Sequence, residues 1–194
     1  LSVLACTIPS IAPSIDEQPS TSSPTTTSLP TFTPSPSPTQ TPIPTSTPTP
    51  APEVRIAEAD HALFNGDYSK ALDEYTNALV SSSEPGIEAA ALLGRGRAYY
   101  LQGIYPNALD EFRSVIAQFP STIQSAYANY FLGETYMQLY RYKEAAEAFA
   151  NYLNTRPGLL DSHVHERVGD ALFAAADYSG ALDAYTSAVQ SLRL

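Results

Sequence analysis

The sequence predicts an all-α solenoid of four helix-turn-helix repeats, preceded by a segment that does not fold. Two observations predict it: a period of 36–37 residues that runs through residues 53–194, and a composition that changes at residue 52. Thirteen of the seventeen prolines in the 194-residue chain lie before residue 53, whereas all nine glycines and all thirteen tyrosines lie after it. The chain therefore consists of two segments with different compositions, of which only the second is expected to fold.

The chain opens with a short apolar run that ends in its only cysteine. The run Val3-Leu4-Ala5-Cys6 resembles the lipobox of bacterial lipoproteins, in which a signal peptide is removed before a cysteine that is then acylated. The resemblance implies that residues 1–5 are the remnant of a signal peptide and that Cys6 is the lipidation site. It also implies a protein of the bacterial cell envelope, anchored through acylated Cys6 on the extracytoplasmic side of a membrane.

Residues 6–52 are predicted to be a disordered linker rich in proline, threonine and serine. Residues 7–52 hold 21 Ser or Thr and 13 Pro, with only two charged side chains, Asp16 and Glu17. Proline fixes φ and removes an amide donor, so this segment favours extended polyproline II without a core. At ~3.1 Å per residue it spans up to roughly 140 Å, which suits a spacer. An O-glycosylated stalk and a ligand with proline motifs are alternatives without a specific signal.

Four columns of residues keep one spacing through residues 53–194 and divide them into units of about 53–86, 87–121, 122–158 and 159–194. The columns are Tyr68, Tyr105, Tyr142 and Tyr178; Ala71, Ala108, Ala145 and Ala181; the aromatic residues Tyr75, Phe112, Phe149 and Tyr185; and the small residues Ala59, Gly96, Gly133 and Gly169. The alanine and small-residue columns predict places where two helices approach each other closely.

Each unit is predicted to be a hairpin of two helices. Tyr105, Ala108, Leu109 and Phe112 recur at i, i+3, i+4 and i+7, which makes one apolar stripe on the second helix of unit two. The boundary signals are Asp67 and Asp177 as caps of second helices, Pro106 in a first turn, Pro120 and Pro157 after second helices, a capping box from Ser121 to Gln124, and a cap at Asp161-Ser162.

These repeats resemble the tetratricopeptide repeat. The family pattern of a Leu-Gly pair, a tyrosine, a second tyrosine, an alanine, a phenylalanine and a proline is nearly complete in unit three, as Leu132-Gly133, Tyr136, Tyr142, Ala145, Phe149 and Pro157. The usual repeat has 34 residues. The extra two or three residues lie before the Leu-Gly pair, so they are predicted to lengthen the first helix. Longer units of this kind are similar to those of outer-membrane assembly lipoproteins and of the helical region of soluble lytic transglycosylases.

No side chains form a convincing catalytic or metal-binding set. Residues 53–194 hold His61, His163 and His165, and the last two are two positions apart, so on a helix they point in different directions. We therefore predict no catalytic residue, no metal and no cofactor. With ten basic and eighteen acidic side chains, these residues carry a net charge of −8, which argues against nucleic acid as a partner.

The resemblance implies that the first helices of the units line a concave groove that binds a protein or an extended peptide. The groove residues that it implies are Leu93, Arg97, Tyr100, Tyr127, Tyr130, Glu134, Met137, Gln138, His163, Glu166, Asp170 and Phe173. Aromatic side chains with one polar end are well suited to holding an extended ligand.

Two functions follow as hypotheses. The first is a non-catalytic protein-binding scaffold tethered to the cell envelope as a lipoprotein. The alternative is the helical region of a lytic transglycosylase, with peptidoglycan as a further partner and a catalytic domain beyond residue 194. The last helix carries apolar residues up to Leu192, so we expect its open face to be covered by a further domain or by a partner.

Overall fold

The computed structural model describes residues 49–156, 158 and 160–191, and these residues form eight α-helices and no strand. The helices are α1 (Pro52–Phe64), α2 (Tyr68–Ser81), α3 (Pro85–Leu101), α4 (Tyr105–Gln118), α5 (Ile123–Gln138), α6 (Tyr142–Thr155), α7 (Asp161–Ala174) and α8 (Tyr178–Ser191). Cys6, the signal-peptide remnant, nearly all of the linker and Pro157 lie outside the described residues.

The helices pair in chain order into four hairpins, which confirms the predicted all-α solenoid of helix-turn-helix repeats. Each helix packs against the next one in the chain, and α3 also packs directly against α1 and α5. The alanine column is buried in every hairpin, because Ala71, Ala108, Ala145 and Ala181 are each at most 1% exposed. The first helices start within two residues of the predicted unit boundaries: α1 and α3 start slightly earlier, at Pro52 and Pro85, and α5 and α7 slightly later, at Ile123 and Asp161.

The small-residue column lies where the two helices of a hairpin touch. Gly96 contacts the ring of Phe112, Gly133 contacts the ring of Phe149, and Gly169 contacts the ring of Tyr185. A Cβ atom added to Gly133 would lie 2.6 Å from Cε1 of Phe149, much closer than carbon atoms pack. The absence of a side chain here is therefore what lets the helices approach.

The same aromatic column also joins each repeat to the next one. In chain order, the ring of Tyr75 contacts Gly94, the ring of Phe112 stacks on Phe131 with centroids 5.8 Å apart, and the ring of Phe149 lies 5.7 Å from the guanidinium carbon of Arg167. Gly94, Phe131 and Arg167 are equivalent positions on α3, α5 and α7. At each interface between neighbouring repeats, one aromatic ring of the second helix thus contacts one residue of the following first helix.

Two clusters of buried apolar side chains meet at α3. The first holds six alanines, one leucine and one tyrosine from α1, α2 and α3. The second runs from α3 to α7 and includes Phe112, Tyr136, Phe149 and Tyr152. Because the second cluster contains more large side chains, it buries more apolar surface.

The turn inside each hairpin uses one residue with a positive φ. In chain order these residues are Gly66 (φ 78°), Gly103 (φ 76°), Tyr140 (φ 60°) and Ala176 (φ 63°), at equivalent positions of the four repeats. Glycine adopts this left-handed conformation without strain, whereas a residue with a Cβ does not. Repeats three and four therefore hold a strained turn residue.

Two of the predicted caps are confirmed. The side chain of Asp67 accepts a hydrogen bond of 3.2 Å from the backbone N–H of Lys70, and that of Asp177 accepts one of 3.0 Å from Gly180. Pro106 lies in the first turn of α4, and Pro120 follows α4, as predicted.

The predicted capping box at Ser121 is wrong by one residue. The N-cap of α5 is Thr122, whose hydroxyl oxygen accepts a 3.2 Å hydrogen bond from the N–H of Ser125. The N–H of Thr122 donates back to the carbonyl of Phe119, so Ser121 lies inside a turn and Thr122 has the extended backbone that a cap needs.

The predicted cap at Asp161-Ser162 is also wrong. The N-cap of α7 is Leu160, which provides no side-chain hydrogen bond, and Asp161 is the first helical residue. Its carboxylate accepts a 2.8 Å hydrogen bond from the N–H of Gly158, so it holds the connection before the helix instead.

The longer first helix is found in two of the repeats. Helices α3 and α5 have 17 and 16 residues, but α7 has only 14. In repeat four the extra residues lie in the connection between Thr155 and Asp161, so the prediction is wrong for this repeat. Among the helices described here, none is both long and apolar enough to cross a membrane.

Candidate functional site

A pocket of about 340 Å³ opens between the first helices of repeats two, three and four. Helix α3 contributes Leu93 and Arg97, α5 contributes Tyr127, Tyr130 and Phe131, α6 contributes Tyr152, the connection before α7 contributes Leu160, and α7 contributes His163. Its lining is mostly apolar, with tyrosine hydroxyls, one guanidinium and one imidazole as polar groups. A volume of this size holds a large side chain or a small ligand.

Five of the twelve predicted groove residues line this pocket: Leu93, Arg97, Tyr127, Tyr130 and His163. Three further lining residues were missed by the sequence analysis. Phe131 follows Tyr130 directly, and Leu160 lies in a connection that the repeat pattern does not describe. Tyr152 lies on a second helix, where the other repeats have Ala78, Val115 and Ala188, and this departure from the column was the available signal.

Tyr130 is at the centre of the aromatic lining. Its ring lies 5.6 Å from that of Phe131, 5.6 Å from that of Phe149 and 6.0 Å from that of Tyr152, measured between centroids. Its hydroxyl lies 3.2 Å from Nε2 of His163, within hydrogen-bond distance. Burial raises the pKa of Tyr130, and the charge of Glu134 raises it further, so the phenol stays protonated at neutral pH.

Arg97 lies at the edge of the pocket with its charge partly compensated. Its guanidinium is 3.8 Å from the carboxylate of Asp60 and 5.6 Å from the centroid of the Phe131 ring. The ring face and the carboxylate both attract the cation. Arg97 is therefore held over the aromatic lining and does not project as an isolated charge.

A second charged network joins repeats three and four. Arg167 donates two hydrogen bonds to the carboxylate of Glu134, at 2.7 and 2.8 Å, and a third to Asp170 at 3.1 Å. Asp170 also accepts a 3.0 Å hydrogen bond from the hydroxyl of Tyr185. Glu134 and Asp170 were predicted to line the groove, but Arg167, which pairs with both carboxylates, was not predicted.

The other predicted groove residues lie outside the pocket. Tyr100 is half-buried against Phe131, Met137 packs on the main cluster, and Gln138 is exposed. The carboxylate of Glu166 lies 3.7 Å from the imidazole of His163. Phe173 is 59% exposed, and its ring meets that of Tyr178 edge to face at 5.4 Å.

The arrangement is suited to binding. It presents aromatic faces, a few fixed hydrogen-bonding groups, and arginines that are already paired with carboxylates. Within the residues that the structure describes, no three His, Cys, Asp or Glu side chains lie close enough together to hold a metal ion.

The comparisons with known proteins agree with this fold. The sequence model of the tetratricopeptide repeat matches residues 56–122, which cover the first two repeats. No curated protein matches the chain in sequence. These comparisons do not support the resemblance of the longer repeats to those of outer-membrane assembly lipoproteins and lytic transglycosylases, which stays a prediction.

Several solved structures of MamA are similar to the chain. One has 19% sequence identity and a TM-score of 0.63, and the match covers 73% of this chain and 78% of that one. MamA from Desulfovibrio magneticus RS-1, from residue 41 to its end, has 21% identity and a TM-score of 0.61, with coverages of 73% and 76%. A double mutant of RS-1 MamA has 21% identity and a TM-score of 0.62, with coverages of 73% and 75%. At these identities the similarity shows the fold, a tetratricopeptide-like solenoid.

Proposed function

We propose that this chain is a non-catalytic scaffold that binds a partner protein through the pocket between α3, α5 and α7. The partner supplies an extended segment with one bulky apolar side chain, which enters the pocket. The tetratricopeptide-like fold suggests a protein-interaction scaffold, and the aromatic lining is the observation that carries the proposal. Tyrosine and phenylalanine faces bind apolar groups well because they bury a large area with little loss of side-chain entropy.

The charges around the pocket favour a partner segment that is neutral or basic. Arg97 is engaged by Asp60, Arg167 is engaged by Glu134 and Asp170, and Glu166 remains 61% exposed at the side of the pocket. A carboxylate on the partner would compete with these acids for the same cations. A lysine or arginine beside the apolar side chain would meet carboxylates instead.

A library of random linear peptides displayed on phage tests the binding proposal. Selection on the 194-residue chain should enrich peptides that hold a bulky apolar residue next to a basic one. Substitution Leu160→Glu places a charge at the pocket on a residue that is 41% exposed, and it should weaken the selected peptides about tenfold or more. Ile104→Glu is the matched control, because Ile104 is 40% exposed and does not line the pocket. Enrichment of acidic peptides, or equal binding to the Leu160→Glu variant, would refute the proposal.

We further propose that the scaffold is tethered to the bacterial cell envelope through acylated Cys6, with the proline-rich segment as the spacer. The support is the lipobox-like run that ends in the only cysteine, followed by a segment with 13 prolines in 46 residues. Two or more acyl chains hold a protein on a membrane, since each buried methylene contributes about 0.8 kcal/mol. Fractionation of bacteria that express the natural gene tests this. The protein should sediment with membranes and the Cys6→Ser variant should not; a variant that still sediments would disprove the anchor.

A further inference from the structure

The two ends of the described solenoid carry complementary surfaces that no described residue covers. Inside the molecule, each repeat covers the outer face of the second helix before it. On α8 this face holds Leu182, Tyr185 and Val189, and nothing among the described residues covers it. Leu182 is 66% exposed and Val189 is 52% exposed. We call these three residues the α8 face.

The equivalent residues of the earlier repeats show what the α8 face lacks. Leu109 and Ala146, at the position of Leu182, are 7% and 6% exposed. Ile116 and Leu153, at the position of Val189, are half-buried and pack against the main cluster. The first helix of the next repeat packs against the helices that carry these residues, α5 against α4 and α7 against α6. The α8 face thus has the composition of a repeat interface but is exposed.

Helix α1 carries the surface that packs on such a face elsewhere in the chain. Three equivalent positions lie on one side of each following first helix: Ala91, Gly94 and Ala98 on α3; Ala128, Phe131 and Thr135 on α5; Val164, Arg167 and Ala171 on α7. The middle residue of each set meets the aromatic ring of the preceding repeat. The first and last of these positions are 0% exposed in all three helices. On α1 the same positions are Val54, Ala57 and His61, which we call the α1 face, and all three are exposed.

We propose that copies of this chain associate head to tail, with the α8 face of one copy packed against the α1 face of the next. The ring of Tyr185 then meets Ala57 of the second copy, as the ring of Tyr75 meets Gly94 and that of Phe112 meets Phe131 within one copy. The solenoid continues across the boundary between molecules. A second copy is the occupant that fits best. Val54 and Ala57 are small, as are their equivalents on α3, Ala91 and Gly94, and Gly94 meets the ring of a tyrosine, Tyr75, as Ala57 would meet that of Tyr185.

The contact is weaker than an internal repeat interface. His61 is larger and more polar than Ala98, Thr135 and Ala171, which take its position in the interior. The two copies are also separate molecules, so association loses translational and rotational freedom that the linked repeats do not lose. Because the two faces are different, the contact is not two-fold and each bound copy offers a new free end, so growth does not stop at a dimer.

Sedimentation velocity of the 194-residue chain, under reducing conditions so that Cys6 does not cross-link copies, tests the proposal. The average mass should rise with protein concentration and pass beyond that of a dimer. Leu182→Glu blocks the α8 face, Ala57→Glu blocks the α1 face, and each should weaken self-association about tenfold or more. Val80→Glu on α2 is the matched control, since Val80 is 84% exposed and lies on neither face; it should associate as the wild type does.

Mixing the two blocked variants gives the decisive result. Each variant keeps one working face, so an equimolar mixture should form a dimer of one copy of each and stop there. A wild-type chain that stays monomeric at every concentration, undiminished association of Ala57→Glu alone, or a mixture no heavier than its parts would overturn the proposal. Circular dichroism verifies that the variants are folded, and Val189→Glu with Val54→Glu repeats the test at the same two faces. Leu160→Glu, which blocks the pocket, should leave assembly unchanged, so failure of the pocket and failure of assembly are distinguishable.

Discussion

The hydroxyl of Tyr75 donates a hydrogen bond of 2.6 Å to the carboxylate of Asp60, from the second helix of the first hairpin to its first helix. Tyr185 makes the equivalent bond to Asp170 in the last hairpin, at 3.0 Å. The two central hairpins hold Phe112 and Phe149 at this position, which have rings but no hydroxyl. Burial, and then the hydrogen bond to Asp60, raise the pKa of Tyr75, so its phenol remains a donor across the neutral range.

Substitution Tyr75→Phe should lower the free energy of unfolding by about 0.5–1.5 kcal/mol, because it removes the hydrogen bond and keeps the buried ring. Urea unfolding followed by circular dichroism measures the change. Tyr178→Phe removes a hydroxyl from a side chain that is 63% exposed and should leave the stability unchanged. Equal stability of Tyr75→Phe and the wild type would show that the bond to Asp60 contributes nothing.

Substitution Ala176→Gly should raise the free energy of unfolding by about 0.5–1 kcal/mol. Ala176 has a φ of 63°, where a Cβ is strained, and the relief of that strain exceeds the extra entropy that glycine has in the unfolded chain. Ala174→Gly is a matched control of opposite sign: Ala174 is an exposed residue in the last turn of α7, and glycine there should lower stability by up to about 1 kcal/mol. Thermal unfolding of both variants compares them directly, and a loss of stability in both would contradict the strain argument.

Substitution Gly133→Ala should destabilise the third repeat. The added methyl group would lie 2.6 Å from the ring of Phe149, and such overpacking costs about 1–3 kcal/mol, which the better helix propensity of alanine offsets only in part. Gly86→Ala is the control, since its Cβ would meet one atom, the Oε1 of Glu84, at an ordinary 3.8 Å. The measurement is the midpoint of urea unfolding. A Gly133→Ala variant as stable as the wild type would mean that the helices separate without loss.

The cap at Asp177 predicts a pH dependence of stability. Its carboxylate accepts hydrogen bonds from the N–H of Gly180 and the hydroxyl of Ser179, and these hold its pKa below the usual range. The native pKa is lower than the unfolded one, so the cap stabilises the fold above the unfolded pKa of about 3.9 and loses this effect as the pH falls through the native pKa.

The difference in unfolding free energy between the wild type and Asp177→Asn should therefore shrink between about pH 5 and pH 2. Asp183→Asn removes the same charge from the same helix without changing the cap, and it serves as the control for net charge. A difference that is constant with pH would show that the ionised cap does not stabilise α8.

The repeat period predicted the four hairpins because each one must bury equivalent residues. Ala71 and Ala145 lie 74 positions apart and have the same buried environment, so composition and spacing alone were sufficient. The candidate site was predicted less completely. The residues that distinguish the site differ from those at the same position in the other repeats, so the repeat pattern does not predict them. Tyr152 replaces small or aliphatic residues of its column, and Arg167 takes the position of Gly94 and Phe131.

The cap of α5 shows a different limit. Ser121 and Thr122 are both good capping residues, and the sequence offers no reason to prefer the second. The choice depends on the turn, in which the N–H of Thr122 bonds to the carbonyl of Phe119 and leaves Ser121 without a capping geometry. Which of the two residues caps α5 is decided by the backbone conformation of the preceding turn, and residue type alone does not predict that conformation.

The meeting of two buried clusters at α3 makes the solenoid mechanically uneven. The amino-terminal cluster consists mainly of alanines, which bury little area each, whereas the cluster beyond α3 is filled with aromatic rings. A force applied to the amino-terminal end would act first on the alanine-rich cluster, which buries less apolar area and is held together less strongly. We expect the first hairpin to detach and unfold under an applied force while the repeats that carry the pocket stay folded. The binding site would then be preserved when the amino-terminal end is stretched.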